Sequence, residues 1–430
     1  MPKIAYIGAG STGFGKRFIA DILQRPALAD GTLTLMDINQ EALDVMAALG
    51  QKIAGQLDVP TKVEATTDRC RAIEGADYVI STVLLHGLQA RMVEHRIMQK
   101  YGVDQAVGCT SGPGGVFHAL RYIPVMLDIC QEMERLAPDG LFLHYANPTT
   151  IVPWALNVAS KTKSIGLCHS VQGTAMQLAG YLGIPFEETG HWVAGVNHQA
   201  WFLRFEHKGK DLYPALREAM QKPEIYAKDM VRFEMMKYFG YFITESSYHN
   251  SEYVPYFRKN QELIARFAPK VGRWVNLLTS SESSAAERRA QLREEAFGDA
   301  PVKLEKSPEY CVEIMDAIET NVPYRFNGNV MNTGLITNLP YSCVEVPCLV
   351  DNMGIHPCYV GDLPPQCAAL NRNRSAGDEL CVQGALEGDR KKIEQAIALD
   401  PLTAAVCTLD QIHDMTEELF AADEQYLPMF

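Results

Sequence analysis

The spacing Gly8-Ala9-Gly10-Ser11-Thr12-Gly13 is the earliest pattern in the chain whose residue types suit a definite chemistry. It reads G-x-G-x-x-G, a form that holds a pyrophosphate. Gly8 permits a tight turn, Gly10 lets backbone approach the phosphates, and Gly13 lets a helix pack closely on a sheet. A helix opening directly after the loop offers free N–H groups and partial positive charge to an anion. Ser11 and Thr12 lie where those contacts are made. Asp37 closes the next apolar run, Leu33–Met36. A carboxylate there binds ribose hydroxyls and repels a 2′-phosphate, which favours NAD over NADP. The motif alone is weak, but the strand before it, the helix after it and the acidic strand end agree. The competing reading is a glycine turn with a purely structural role.

The elements that must position such a loop are legible nearby. Lys3–Ile7 reads as a strand, Phe14–Leu23 as a helix and Leu33–Met36 as a second strand. Leu43, Met46, Leu49, Ile53 and Leu57 recur at helical spacing behind Asn39, a plausible N-cap. Tyr78–Leu84 lacks alternation, as a strand buried on both faces does. A helix over Leu120–Leu136 leads to a strand at Leu141–Tyr145, which stops before Asn147-Pro148, and Ser164–Leu167 reads as a last strand. This β-α-β order predicts an α/β fold with a Rossmann-like, doubly wound parallel sheet over residues 1–165. Residues 166–430 read as an α+β part. Val171–Leu182 is helix-like, Trp192–Phe205 alternates as a strand through Asn197-His198, and residues 215–300 are rich in helix formers. Residues 321–350 are strand-like with Asn-Gly and Asn-Thr-Gly turn signals, and 376–423 return to helix. No linker separates the halves.

Composition narrows the function. The chain has 430 residues, a net charge of −13, 47% hydrophobic and 21% charged residues. That is an ordinary globular make-up, and the acidic balance argues against a broad grip on nucleic acid or anionic membrane. No run approaches the ~20 apolar residues that span a bilayer. Met1-Pro2-Lys3-Ile4 leads straight into a strand without signal-peptide character, so a cytoplasmic location with reduced thiols is expected. The 11 cysteines form no C-x-x-C pair, so a structural zinc site of the usual spacing is not expected.

Further segments point beyond a plain dehydrogenase. Gly166-Leu167-Cys168-His169-Ser170-Val171-Gln172-Gly173 resembles the Cys-His-Ser-Val signature of the NAD-dependent glycosidases, family 4 of the glycoside hydrolases. Ala194-Gly195-Val196-Asn197-His198 resembles that family's second metal-binding segment. Gly240-Tyr241-Phe242-Ile243-Thr244-Glu245-Ser246-Ser247, Gly328–Pro340 and Val344-Glu345-Val346-Pro347 resemble further stretches, so the resemblance covers nearly the whole chain. It implies a lactate/malate-dehydrogenase-like fold and a glycosidase needing NAD and a divalent metal, usually manganese. The Cys-His-Ser-Val variant is associated with α-galactosidases, and the chain resembles the melibiose-hydrolysing ones most. The resemblance also implies self-association as a dimer or tetramer.

The implied chemistry departs from the two-carboxylate template of most glycosidases. Hydride leaves sugar C3 for NAD, a base takes the C2 proton, the C1 group departs, water adds and the hydride returns. The resemblance places Cys168 and His198 as metal ligands, with the metal on sugar O2 and O3. A soft thiolate suits a hard manganese ion poorly, which implies easy metal loss and sensitivity to oxidation. Tyr241 falls at the base position. A free tyrosine has a pKa of about 10, so the role needs a nearby cation. Glu245 is the competing base, and aromatic packing is the plain alternative for Tyr241. His169 stands where some relatives keep a leaving-group acid, and it suits sugar contact equally. Asn147 and Asn197 are expected to touch the substrate, Asn147 also the nicotinamide, unless Asn147-Pro148 is only a turn.

The loop Val107-Gly108-Cys109-Thr110-Ser111-Gly112-Pro113-Gly114-Gly115 departs from the family. Cys109 stands in place of an aspartate and His118 in place of an arginine. Loss of that anion suits a substrate that brings its own carboxylate. α-Glucosides and α-uronides are therefore alternatives to α-galactosides. A 2-hydroxy-acid dehydrogenase is an alternative of another class, but no R-x-x-x-R loop or His–Asp pair marks one. A NAD-binding sensor would leave Cys168 and His198 unexplained.

Overall fold

A computed structural model of the chain describes residues 1–85, 87–267 and 274–430. Its first strands are β1 (Lys3–Ile7), β2 (Thr32–Met36), β3 (Lys62–Thr66), β4 (Tyr78–Ser81), β5 (Leu141–His144) and β6 (Lys163–Gly166). They pair in parallel in the order β3-β2-β1-β4-β5-β6. That is the doubly wound order of dinucleotide folds. The helix Gln40–Leu57 begins where the Asn39 side chain accepts from Ala42 N, at 3.1 Å, and it buries Leu43, Met46, Leu49 and Ile53. Among the described residues no helix is long and apolar enough to cross a membrane.

The sheet continues through the rest of the chain. β7 (Thr189–Val196), β8 (Gln199–His207), β9 (Lys210–Asp211), β10 (Tyr324–Met331), β11 (Cys343–Asp351) and β12 (Gly354–Pro357) extend it. The order beyond β6 is β10-β11-β7-β8-β9, with β12 on β11. The junctions are narrow. Asn329 of β10 pairs with Gly166 and with Glu345, and Glu345 of β11 pairs with Gly195. One transverse row, Gly166–Asn329–Glu345–Gly195, therefore stitches the parallel strands to the antiparallel ones. Cys168 follows one end of that row and His198 the other.

Several expectations need correction. Trp192–Phe205 is not one strand but the β7–β8 hairpin, turning at Asn197-His198. β4 ends at Ser81 rather than Leu84, and Leu84 is exposed. The helix expected from Leu120 begins at Gly112. Its first turn is Gly-Pro-Gly-Gly, a composition that hides helix from sequence, and a Cβ on Gly114 would lie 2.5 Å from the Gly108 carbonyl oxygen. Asn327-Gly328 is no turn but lies inside β10, where a Cβ on Gly328 would meet Ile165 at 2.6 Å. The strand β3 and the helices Arg69–Ile73, Gly87–Lys100 and Ile151–Ala159 had no clear sequence signal.

Candidate active site

The carboxyl ends of the parallel strands share one edge. Gly8 follows β1, Asn147 follows β5 and Cys168 follows β6. Ligands of open α/β sheets bind in the crevice outside that edge. Gly8 takes φ +82°, and Gly8 N and Ala9 N both donate to the Met36 carbonyl, at 2.9 and 3.0 Å. Asp37 Oδ2 accepts from Gly10 N at 2.8 Å and Oδ1 from Asn39 N at 2.9 Å, which fastens the loop to the end of β2. Each carboxylate oxygen keeps further acceptor capacity for a ribose hydroxyl. Ser11 Oγ accepts from Phe14 N at 3.3 Å, and Thr12 is half-buried. The expectation for Gly13 fails, because a Cβ there meets nothing within 4 Å. On Gly15 it would lie 2.4 Å from the Ala9 carbonyl oxygen and 2.9 Å from Met46. Close approach of helix to loop depends on Gly15. A Cβ on Gly10 would lie 2.8 Å from Ala42 Cβ and from Asp37 Oδ2, so the loop closes to bare backbone there, as close approach to a pyrophosphate requires.

Beyond β6 the structure brings together Cys168 and His198. Sγ and Nε2 are 3.1 Å apart and both side chains are buried. Glu245 joins them, with Oε2 3.5 Å from His198 Nε2. The three ligand atoms lie within 4.8 Å of one another. His198 is the second residue of a two-residue hairpin turn and takes φ +62°; Glu245 takes φ +76°. Left-handed backbone in such residues costs about 1–3 kcal/mol and persists where surroundings fix it. Here they do. Asn371 Nδ2 donates to the Gln199 carbonyl at 2.9 Å behind the hairpin. Thr174 Oγ1 accepts from Glu245 N at 3.2 Å, and Arg232 donates to the Glu245 carbonyl. Asn250 Nδ2 donates to the carbonyls of Thr244 and Ser246, at 2.7 and 3.1 Å.

Electrostatics mark the same place. Burial pushes the Cys168 thiol up to about 11, against the pull of His169. Burial also acts to raise Glu245, but His198, His249, His169 and Arg232 together hold it below the usual carboxylate range. Burial lowers His249 to about 4 despite Glu245. Glu345 is fully buried with neither carboxylate oxygen hydrogen-bonded among the described residues, and burial lifts it to about 7. Asn197 is equally buried; its side chain approaches Glu345 without reaching hydrogen-bond geometry. A thiol, an imidazole and a carboxylate within one cation's reach, with an uncompensated acid behind them, fit a divalent metal.

Of the remaining expected residues, His169 directly follows Cys168 and its charge acts on Cys168 and Glu245, while Tyr241, Asn147 and His118 make contacts of their own. His169 Nδ1 lies 3.3 Å from Glu309 Oε1, and that hydrogen bond lifts the imidazole to about 9. Its side chain is 55% exposed, so surrounding water weakens the pull. Tyr241 is half-buried, edge-on to Tyr213 with ring centroids 6.0 Å apart, on the segment that leads into Glu245. Phe242 O accepts from Phe202 N and Ala200 O from Thr244 N, at 2.9 and 2.8 Å, which holds that segment along β8. Asn147 Oδ1 accepts from Thr149 Oγ1 at 2.9 Å. Cys109 is half-buried within range of the Arg91 and Glu245 charges, and His118 is buried against Tyr122, centroids 4.4 Å apart. Sequence reasoning missed His249, whose Nδ1 sits 3.2 Å from Glu245 Oε1, and Tyr253, whose hydroxyl sits 3.3 Å from His198 Nδ1. The acid inside the apolar Val344–Val346 run was the one signal for Glu345.

A Rossmann-like sheet, a pyrophosphate-type loop and a metal-competent Cys–His–Glu cluster at its edge define an enzyme of the dinucleotide-binding fold. Comparison with known proteins makes the class specific. Residues 3–184 match the family 4 glycosyl hydrolase description, and residues 193–403 match the family 4 glycosyl hydrolase C-terminal domain. The chain belongs to family 4 of the glycosyl hydrolases. It is 38% identical to an alpha-galactosidase of Bacillus subtilis (strain 168) across the full length of both chains. It is 37% identical to an alpha-galactosidase of Rhizobium meliloti (strain 1021), covering 100% of this chain and 89% of that one. A 6-phospho-beta glucosidase of Thermotoga maritima, solved with manganese, NAD+ and glucose-6-phosphate, shares the fold. Its TM-score is 0.81 at 20% identity, with 98% of each chain covered.

Proposed function

We propose that this chain hydrolyses α-galactosides by an NAD- and divalent-metal-dependent route, with manganese as the working metal. The single observation that carries the reading is the pairing of Cys168 Sγ and His198 Nε2 at 3.1 Å, buried beside the edge where the glycine loop lies. The full-length similarity to alpha-galactosidases supports the sugar. Gly8, Gly10, Ser11, Thr12, Gly13 and Asp37 would hold NAD, and Cys168 and His198 the metal. When bound, these groups supply a reversible hydride acceptor for sugar C3 and Lewis acidity toward O2 and O3.

The chain's own residues do the rest. A carbonyl at C3 makes the C2 proton acidic, and Tyr241 removes it. The C1–O bond breaks with the electron pair passing to the aglycone oxygen, which takes a proton from His169. Glu309 keeps that imidazole charged and aimed. Water then adds at C1 and gives one proton back to His169, Tyr241 returns a solvent-exchanged proton to C2, and the C3 carbonyl is reduced back to the alcohol. Asn147 and Asn197 position sugar hydroxyls. In the sum, one glycosidic bond and one water are exchanged for two hydroxyls, with no net redox change.

The test is turnover of a nitrophenyl α-galactoside. Activity should require NAD, manganese and a thiol reductant together, and a C2-deuterated substrate should lose its label to solvent during turnover. Full activity after NAD is stripped, or complete retention of deuterium without a kinetic effect, would overturn the mechanism. A parallel panel of α-glucosides and α-uronides decides the sugar, and faster turnover of a uronide would replace the galactoside assignment.

A further inference from the structure

Cysteine and histidine alone make a poor site for a hard cation. Manganese prefers oxygen donors, and two soft or borderline ligands would leave it weakly held. Resting on the metal-dependent reading above, we propose that Glu245 is the third protein ligand of the divalent cation, aimed by His249, and that buried Glu345 supplies compensating negative charge from the sheet row joining the other two ligands.

The geometry separates ligand from base. Glu245 Oε2 lies 3.5 Å from His198 Nε2, inside a group of ligand atoms mutually within 4.8 Å. Its other oxygen, Oε1, lies 3.2 Å from His249 Nδ1, a nitrogen that also meets Ser246 Oγ at 2.9 Å. A base for sugar C2 needs an oxygen open to the substrate, whereas here one oxygen lies against the His249 ring and the other turns toward the thiol and imidazole. Metal ligands characteristically have such outer partners. His198 has its own, since Nδ1 faces the Tyr253 hydroxyl at 3.3 Å and leaves Nε2 for a metal.

The backbone supports the same role. Glu245 and His198 both sit in the left-handed region, and Thr174, Arg232 and Asn250 pin the turn around Glu245. Glu345 is the independent observation. It is 0% exposed, it lies in the row Gly166–Asn329–Glu345–Gly195, and neither oxygen has a hydrogen-bond partner among the described residues. The neighbouring Asn197 side chain is likewise buried with both polar atoms unpartnered. An unpartnered buried acid is costly unless a positive charge lies close. A divalent cation between Cys168, His198 and Glu245 supplies it.

The experiment measures metal binding rather than turnover. Enzyme stripped with chelator and kept in NAD is titrated with Mn2+, and free aquo-Mn2+ is read by electron paramagnetic resonance. The proteins are wild type, Glu245→Gln, Glu245→Asp, Glu345→Gln, His249→Ala and Cys168→Ser. Glu245→Gln should weaken Mn2+ about a hundredfold or more, and His249→Ala and Glu345→Gln about tenfold, as loss of outer partners does. Glu245→Asp should keep partial affinity, which answers the case where the glutamine variant misfolds. Wild-type Mn2+ affinity in Glu245→Gln, with Cys168→Ser deficient, overturns the ligand role and leaves the metal-dependent reading standing. Wild-type affinity in Cys168→Ser as well overturns that reading itself.

Discussion

At the scale of single residues, the chain uses buried acids as fasteners. Glu252 is fully buried and accepts from Val107 N at 2.8 Å and Gly108 N at 3.1 Å, so it ties down the loop that carries Cys109. Burial pushes its carboxyl from 4.5 to about 7, with the Val107 N–H and Arg258 pulling the other way. Between those two values the folded chain holds a proton that the unfolded chain has released. Unfolded chains then bind fewer protons, so this residue's contribution to stability falls as pH rises through that window. Glu252→Gln removes the titration and keeps one acceptor. The unfolding free energy of the variant relative to wild type should therefore improve by about 1–3 kcal/mol between pH 5 and pH 8, read from urea unfolding at each pH. A difference that stays constant with pH would show that Glu252 is ionised in the fold at both ends. The family-like segments of the sequence named Cys168 and His198 as ligands and Glu245 only as a competing base, since a cysteine, a histidine or an acid in such a segment announces that it can do chemistry but not which. Glu252 and His249 carried no such announcement, and Glu345 only that of an acid inside an apolar run. Their importance arises from burial and from strand register, which unite positions far apart in the chain.

At the scale of elements, the glycine loop shows what a motif can and cannot say. The strand, loop, helix and acidic strand end were all legible, since each has a local signature of period or turn. The residue at the closest contact was not. The third motif glycine, Gly13, is open to space, while a Cβ on Gly15 would strike the Ala9 carbonyl at 2.4 Å. The helix starts at Gly15, one position later than the expected Phe14, and the tight contact lies at its first residue. Gly15→Ala should displace the loop and weaken NAD binding about tenfold or more in a fluorescence titration, whereas Gly13→Ala should bind within about twofold of wild type. The reverse order would restore the motif's usual assignment. The same physics explains the helix hidden before Leu120 and the mistaken turn at Asn327-Gly328. In both places glycine serves close packing between elements, and packing partners cannot be read from a window of neighbours. The β7–β8 hairpin was missed for a related reason. Its turn is Asn197-His198, a histidine held at φ +62° where a glycine would have signalled the reversal.

At the scale of the whole molecule, one sheet carries both halves, and the chain's last long helix returns to lock the first. The helix Leu409–Asp423 ends on Asp423, which meets Arg121 of the helix Gly112–Leu136, and Arg121 also meets Glu94 of the helix Gly87–Lys100. All three side chains are 1% exposed. One guanidinium thus serves two buried carboxyls. Burial and the Asp423 charge push Glu94 above the usual carboxylate range, with Arg121 opposing. The arrangement is asymmetric in consequence. Removing Arg121 leaves two acids facing each other without a cation, a loss of about 3–5 kcal/mol. Removing the charge of Asp423 leaves a balanced Arg121–Glu94 pair and relieves the repulsion between the acids. Arg121→Leu should therefore lower the urea midpoint far more than Asp423→Asn, and the loss should extend to the closing contact between the C-terminal helix and the parallel half. Hydrogen exchange in Leu409–Asp423 reads that contact directly, with protection falling in Arg121→Leu and persisting in Asp423→Asn. Equal losses in the two variants would mean that the three groups act as an ordinary set of hydrogen bonds, and that charge balance is not what holds the end of the chain to its beginning.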